Sequence, residues 1–241
     1  MSSLFDPELA RAAIRTLLVG LWVTVELTII CGVLSLAFGL LVALARMSSF
    51  APLRLVVSGY VQLVRATPLL IQLIYIYFAL PFIGIRFSPF LAAVIGLTLN
   101  VSAYLAEVYR SGIEAVPQGQ RDAAAALGMR PSVAMVRVVL PQAVRIVIPA
   151  LGNYMVSLFK DTSLAAVITV QEMLFKGQIV AAETYDYFTI YTMVFVLYFV
   201  VGYPAIRLVM LLEKKVKAGY SGRKNVIVTP TGDVETVGAS K

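Results

Sequence analysis

From Thr16 to Ala45 the chain runs for 30 residues with one charged side chain, Glu26, and Arg46 closes the run. A helix rises about 1.5 Å per residue, so this run is more than enough to cross the roughly 30 Å of hydrocarbon in a bilayer. Four further apolar runs follow. They are Leu55 to Pro81, broken at Arg65-Ala66-Thr67-Pro68; Phe90 to Tyr109; Ile146 to Val170, disturbed by Pro149, Gly152 and Lys160-Asp161-Thr162-Ser163; and Phe188 to Ile206. With 60% hydrophobic and 14% charged residues among 241, and a mean hydropathy of +0.88, the chain lies far outside the soluble range. The fold class expected is all-α, a polytopic membrane protein of about five transmembrane helices.

The domain organisation follows from the runs. Residues 1–15 form a polar lead, 16–215 a single transmembrane domain, and 216–241 a basic tail expected to be unstructured. The lead is polar and the apolar run after it too long for a signal-peptide core, so the first membrane helix is expected to be its own targeting signal. Lys and Arg sort unevenly between the two sides of five spans. Arg46, Arg54, the five arginines from Arg110 to Arg145 and seven basic residues from Arg207 onward make 14 on one side, against Arg11, Arg15, Arg86 and Lys176 on the other. The positive-inside rule then places the N-terminus outside and the C-terminus in the cytoplasm. Topology thus explains the net charge of +7 without nucleic acid.

Composition also removes whole classes of chemistry. The sequence has no histidine and one cysteine, Cys31, in an apolar segment, which leaves no disulfide framework, no Cys-based metal site and no Ser-His-Asp triad. No G-x-x-x-x-G-K-[ST] phosphate loop occurs, so no ATPase site is expected on this chain. Neither catalytic nor metal-ligating residues are assigned.

The polar exception among the spans is Gln120 to Pro141, within a loop of about residues 113–141. Ala123 to Ala126 are strong helix formers, and Asp122 is expected at the start of their helix, near Gln120, where a carboxylate complements the dipole. Gly128 allows a sharp turn, and Pro131 suits the first turn of a second helix. The reading is a helix-turn-helix with a smooth alanine surface that another protein can approach closely.

Asp122-Ala123-Ala124, then Gly128, then Val138-Val139-Leu140-Pro141 resembles the E-A-A, three residues, G, nine residues, I-x-L-P loop of bacterial ABC-importer permeases, with Asp for Glu and Val for Ile. Arg65-Ala66-Thr67-Pro68-Leu69-Leu70-Ile71-Gln72 resembles the R-G-T-P-L-L-x-Q segment of polar amino-acid permeases, with Ala66 for Gly, and Lys160-Asp161-Thr162-Ser163-Leu164 resembles their K-D-T-S-L segment. Asn100 to Pro117 is similar to that family's third span running into the loop. The resemblance spans roughly residues 10 to 215. It implies a type I ABC importer transmembrane fold, with Asp122, Ala123, Ala124, Gly128, Leu140 and Pro141 seating in a separate ATPase subunit. It further implies two ATPase copies carrying ATP and Mg, a second permease subunit, identical or related, a periplasmic binding protein, and a multi-pass place in the bacterial inner membrane.

Ionisable groups inside spans are costly and ask for a reason. Glu26, Arg65, Lys160 and Asp161 are the clear cases. Pro68 removes a donor and frees the Val64 carbonyl, so backbone broken at membrane depth points to a cavity wall near Arg65 and Thr67. Asp161 is expected to face the cavity and meet a cationic group; the alternative is a bridge to Arg65. Thr162 and Ser163 suit caps of a half-helix. Asn100 and Ser102, near mid-span, are candidates to line the pathway, Asn100 either as a ligand contact or as inter-helical glue. Glu107 is open between local pairing and a site role, and Glu26 between pore lining and helix pairing. An ion-coupled secondary carrier is the rival reading, though no internal repeat supports it. A ligand-free membrane scaffold is the third.

Overall fold

The computed structural model describes residues 4–221 and two short strands, β1 (Val226–Val228) and β2 (Val234–Thr236), which pair antiparallel. Nine α-helices are described: α1 (Pro7–Arg46), α2 (Ala51–Ala66), α3 (Leu69–Ile74), α4 (Pro89–Glu114), α5 (Gln118–Ala126), α6 (Pro131–Ala134), α7 (Leu140–Asp161), α8 (Met173–Thr184) and α9 (Tyr187–Ser221). Single π-helical segments extend α3 at Tyr75–Ala79 and precede α7 at Met135–Val139, and a 3-10 segment, Thr162–Ile168, prolongs α7. Four helical stretches are long and apolar enough to cross a membrane: Pro7–Arg46, Pro89–Glu114, Pro131–Ile168 and Tyr187–Lys215. A bent pair, Ala51–Ala66 with Leu69–Ile83, brings the number to five when taken as one span. The rest of the basic tail lies outside the described residues.

α1 opens on Asp6, whose carboxylate accepts from the Glu8 and Leu9 amides at 2.9 and 3.1 Å, with Pro7 in the first turn. The Asp6 amide donates in turn to Thr189 Oγ1, which fastens the start of α1 to the start of α9. From there α1 runs along α4, and the two close through small residues. A Cβ on Gly39 would lie 2.9 Å from Leu105 Cβ and 3.1 Å from the Ser102 carbonyl, so only glycine permits this approach. Ser35 and Tyr109 hydroxyls donate across the seam to the Thr98 and Leu36 carbonyls. The main core gathers Leu27, Cys31, Leu73, Leu97, Leu105, Leu158 and Ile168 where α1, α3, α4 and α7 meet.

Between the fourth and fifth apolar runs the chain forms a helix, α8. Glu172 is fully buried and caps it, accepting from the Leu174 and Phe175 amides at 3.0 and 2.8 Å. Tyr198 and Thr24 hydroxyls complete its shell at 2.9 and 3.4 Å, so one carboxylate joins α1, α8 and α9. Burial pushes the Glu172 carboxyl upward, and these four donors pull against it. Glu172→Ala is expected to destabilise the protein by about 1–3 kcal/mol, from a lost cap and a stranded buried hydroxyl. The thermal unfolding midpoint of the detergent-solubilised variant checks this, and an unchanged midpoint contradicts it.

Candidate functional site

Two broken spans build the site. α2 stops at Ala66 and α3 restarts at Leu69 after a 109° bend, with Thr67 and Pro68 extended between them. The carbonyl freed by Pro68, that of Val64, accepts from Gln72 Nε2 at 2.8 Å, and the same nitrogen reaches the Thr67 carbonyl and Oγ1. Gln72 Oε1 accepts from Asn100 Nδ2 at 3.1 Å, which pins the break to α4. Asn100 is therefore inter-helical glue, and it also lies at the edge of a cavity. The second break comes where α7 tightens into the 3-10 segment directly after Asp161.

Between the breaks lies a cavity of about 340 Å³, bounded by Thr67, Asn100, Tyr104, Tyr154, Ser157 and Asp161, among others. Asp161 makes no hydrogen bond or ion pair with any described residue, so its carboxylate is available. The alternative in which it bridges to Arg65 is not realised. Tyr104 and Tyr154, with ring centroids 6.0 Å apart, close this cavity on one side. Beyond them is a second cavity of about 350 Å³, whose lining includes the same two tyrosines with Arg65, Glu107 and Ser111.

Arg65 and Glu107 belong to this second cavity. Glu107 Oε1 accepts from Arg46 at 2.7 Å and Arg65 at 3.0 Å, while Oε2 accepts from Arg110 at 2.9 Å. Arg110 also pairs with Glu114, and the Arg65 guanidinium lies 5.7 Å from the centre of the Tyr104 ring. Local pairing of Glu107 thus holds, but with partners on three helices.

Other expected pathway residues lie elsewhere. Ser102 is fully buried against α2, donating to the Leu99 carbonyl and sharing a hydrogen bond with Tyr60. Thr162 is also fully buried, and it and Ser163 donate back to the Phe159 and Lys160 carbonyls. They finish the last turn of α7 rather than open a new half-helix. Glu26 lies on an exposed face of α1, away from both cavities. Sequence reasoning passed over Tyr104, Tyr154 and Ser157. Yet Tyr154, Ser157 and Asp161 recur at intervals of three and four, the spacing of one helix face, and that signal was available.

The polar stretch forms the expected helix, turn and helix. α5 begins at Gln118, two residues earlier than expected, so Asp122 falls beyond its first turn and accepts from Gln118 Nε2 at 3.0 Å. Ala123, Ala125, Ala126 and Leu127 are exposed, while Ala124 is buried. Gly128 takes φ +70°, with its amide closing onto the Ala125 carbonyl at 2.9 Å. Pro131 opens α6, and Leu140 and Pro141 open α7.

Bent, polar-lined spans around a cavity, joined to an alanine-faced helical loop between spans, define a membrane permease. The chain belongs to the family described as binding-protein-dependent transport system inner membrane component, whose model matches residues 35–218. It is 37% identical over 212 residues to a probable amino-acid ABC transporter permease, YckA, of Bacillus subtilis, covering 88% of this chain and 94% of that one. The L-cystine transport system permease TcyB of the same organism is 44% identical over 167 residues, 69% of this chain and 71% of the relative. Among solved structures, an amino acid ABC transporter is similar at TM-score 0.81 and 38% identity, covering 83% of this chain and 94% of that chain. The MetNI methionine ABC transporter shares the fold at TM-score 0.64 and 21% identity, over 83% and 97% of the two chains.

Proposed function

We propose that this chain is the permease subunit of an ATP-driven importer for polar amino acids in the bacterial inner membrane. It forms half of the translocation pathway beside a second permease subunit. The observation that carries the reading is the unpaired Asp161 carboxylate in a cavity between two broken spans. A carboxylate so placed receives the α-ammonium of an amino acid through a charge-assisted hydrogen bond. The permeases named for amino acids among the relatives support the same substrate class.

The loop from Gln118 to Pro141 is the coupling element. Its exposed alanines and Leu127 seat in one of two ATPase subunits, which bind ATP and Mg, and Leu140-Pro141 passes the motion into α7. α7 carries Tyr154 and Asp161, so movement of the loop shifts the wall between the two cavities. The end of the bundle holding Arg46, Glu107 and the loop is then cytoplasmic. The N-terminus is outside, where a periplasmic binding protein delivers substrate. Rigid-body rocking of this kind is the usual form of alternating access. No observation favours the ion-coupled carrier.

Native mass spectrometry of the tagged protein, gently extracted from its own host membrane, tests the assignment. Two copies of an ATPase chain are expected in the complex. A permease that appears alone, under conditions that keep other importers whole, refutes the assignment.

A further inference from the structure

The short helix α5 has two unlike faces. Successive residues turn by about 100° around a helix, so Gln120, Arg121 and Ala124 fall within about 100° of one another while Asp122 and Ala126 lie on the far side. Asp122 and Ala126 are exposed, whereas Ala124 is buried and Gln120 and Arg121 are partly so. One face is therefore open to a partner, and the other is turned to its own chain. On that inner face the loop is fastened to the spans at two points.

The first point is Arg121. α4 ends at Glu114, and the carbonyls of its last turn have no amide ahead of them within the helix. The Ser111 carbonyl accepts from the Ala115 amide at 2.8 Å, and the Ile113 carbonyl from Arg121 Nη2, also at 2.8 Å. A guanidinium placed there satisfies an orphan acceptor and complements the negative end of the helix dipole. The second point is Gln142, in the first turn of α7. Its Nε2 carries two hydrogens, and it donates to the Val138 carbonyl at 2.9 Å and to Gln120 Oε1 at 3.3 Å. The bond to Val138 fixes the amide so that it faces α5. Beneath both points Ile113, Val116, Val139 and Ala143 form a small core, and a Cβ on Gly112 would overlap Val147, so the ends of α4 and α7 are in close contact.

These two helices carry the wall between the cavities. Tyr104 lies nine residues before Ile113, about 14 Å along α4, and Tyr154 lies 12 residues after Gln142, about 18 Å along α7. We propose that Arg121 and the Gln120–Gln142 pair are the tethers through which the loop moves the tyrosine wall, Arg121 acting on α4 and Gln142 on α7. Without them α5 is held by the packing of Ala124 and by chain alone, through residues 115–117 on one side and 127–130 on the other. Such a joint absorbs a displacement instead of passing it on. Arg121, Gln120 and Gln142 are thus positioning residues, remote from the amino acid. The inference rests on the reading of the loop as the coupling element, and adds the contacts that make it move as one body with both helices.

Stimulated ATP hydrolysis and recovery of the ATPase test the tethers together, in proteoliposomes holding this chain, its ATPase subunits and the host's binding protein saturated with a mixture of the common amino acids. Stimulation is the ratio of each variant's rate with the loaded binding protein to its own rate without it. R121M keeps the apolar stem and loses the fork, and is expected to reduce stimulation about tenfold. R121K, whose ammonium can donate to the same carbonyl, is expected to restore most of it. Q142M should reduce stimulation about threefold, the effect of a neutral hydrogen bond, and Q120E, which still accepts from Gln142, should stay near wild type. Each variant is expected to retain the wild-type amount of ATPase, because the open face of α5 is unchanged. Wild-type stimulation in both R121M and Q142M overturns the proposal. So does loss of the ATPase from either variant, which would make these contacts supports of the docking seat alone. A wild-type complex that lacks the ATPase, or whose hydrolysis ignores the loaded binding protein, refutes the importer reading itself.

Discussion

Asp161→Asn is expected to lower amino-acid uptake by about 10–100-fold while the permease still assembles with its ATPase. A hydrogen bond to a charged partner contributes about 1.5–3 kcal/mol, and each 1.4 kcal/mol is about a factor of ten. The amide keeps the shape of the side chain and removes its charge. No described residue depends on that charge for a hydrogen bond or ion pair, so assembly should be spared. Uptake and copy number are measured on the same vesicles. Normal uptake by a fully assembled variant would remove Asp161 from the binding site.

The second large effect is expected at Gly128. Its φ of +70° is a left-handed conformation, and a Cβ built there meets nothing within 4 Å. Any penalty therefore comes from the backbone, at about 1–2 kcal/mol for an ordinary L-residue and more for a β-branched one. Gly128→Val should reopen the turn between α5 and α6, abolish substrate-stimulated ATP hydrolysis in the complex, and leave the spans folded. Gly128→Asn, which tolerates this conformation, should keep most of the stimulation. Equal stimulation in wild type and the valine variant would show that the turn does not transmit the signal.

What was legible in the sequence was what a membrane forbids. Long apolar runs predicted the spans, Pro68 predicted both a break and a free Val64 carbonyl, and Gly128 predicted the turn. Less legible were arrangements that depend on distant parts of the chain. Glu172 carries no signal in the sequence, because Thr24, 148 residues away, and Tyr198 become its partners only after α1, α8 and α9 pack. Ser102 was read as a pathway residue because polar atoms in a span draw attention, yet Tyr60 on α2 claims it. Tyr104 and Tyr154 carry no charge and so escaped a search for charges, although they separate the two cavities.

The two cavities are also electrically unlike. Among the described residues lining the first, Asp161 alone is charged at neutral pH, whereas the cluster beside the second sets Arg46, Arg65 and Arg110 against Glu107 and Glu114, an excess of one positive charge. On the proposed role of Asp161, an amino acid passing between the tyrosines is itself a dipole and would enter this gradient with its ammonium end held there. Its carboxylate would then face the more positive potential near the arginines, so the molecule is expected to travel carboxylate first. A ligand whose leading end is a second cation meets an opposing field at the same step. On that reading the arrangement is expected to act as a polarity filter on transit, distinct from the affinity of the first cavity.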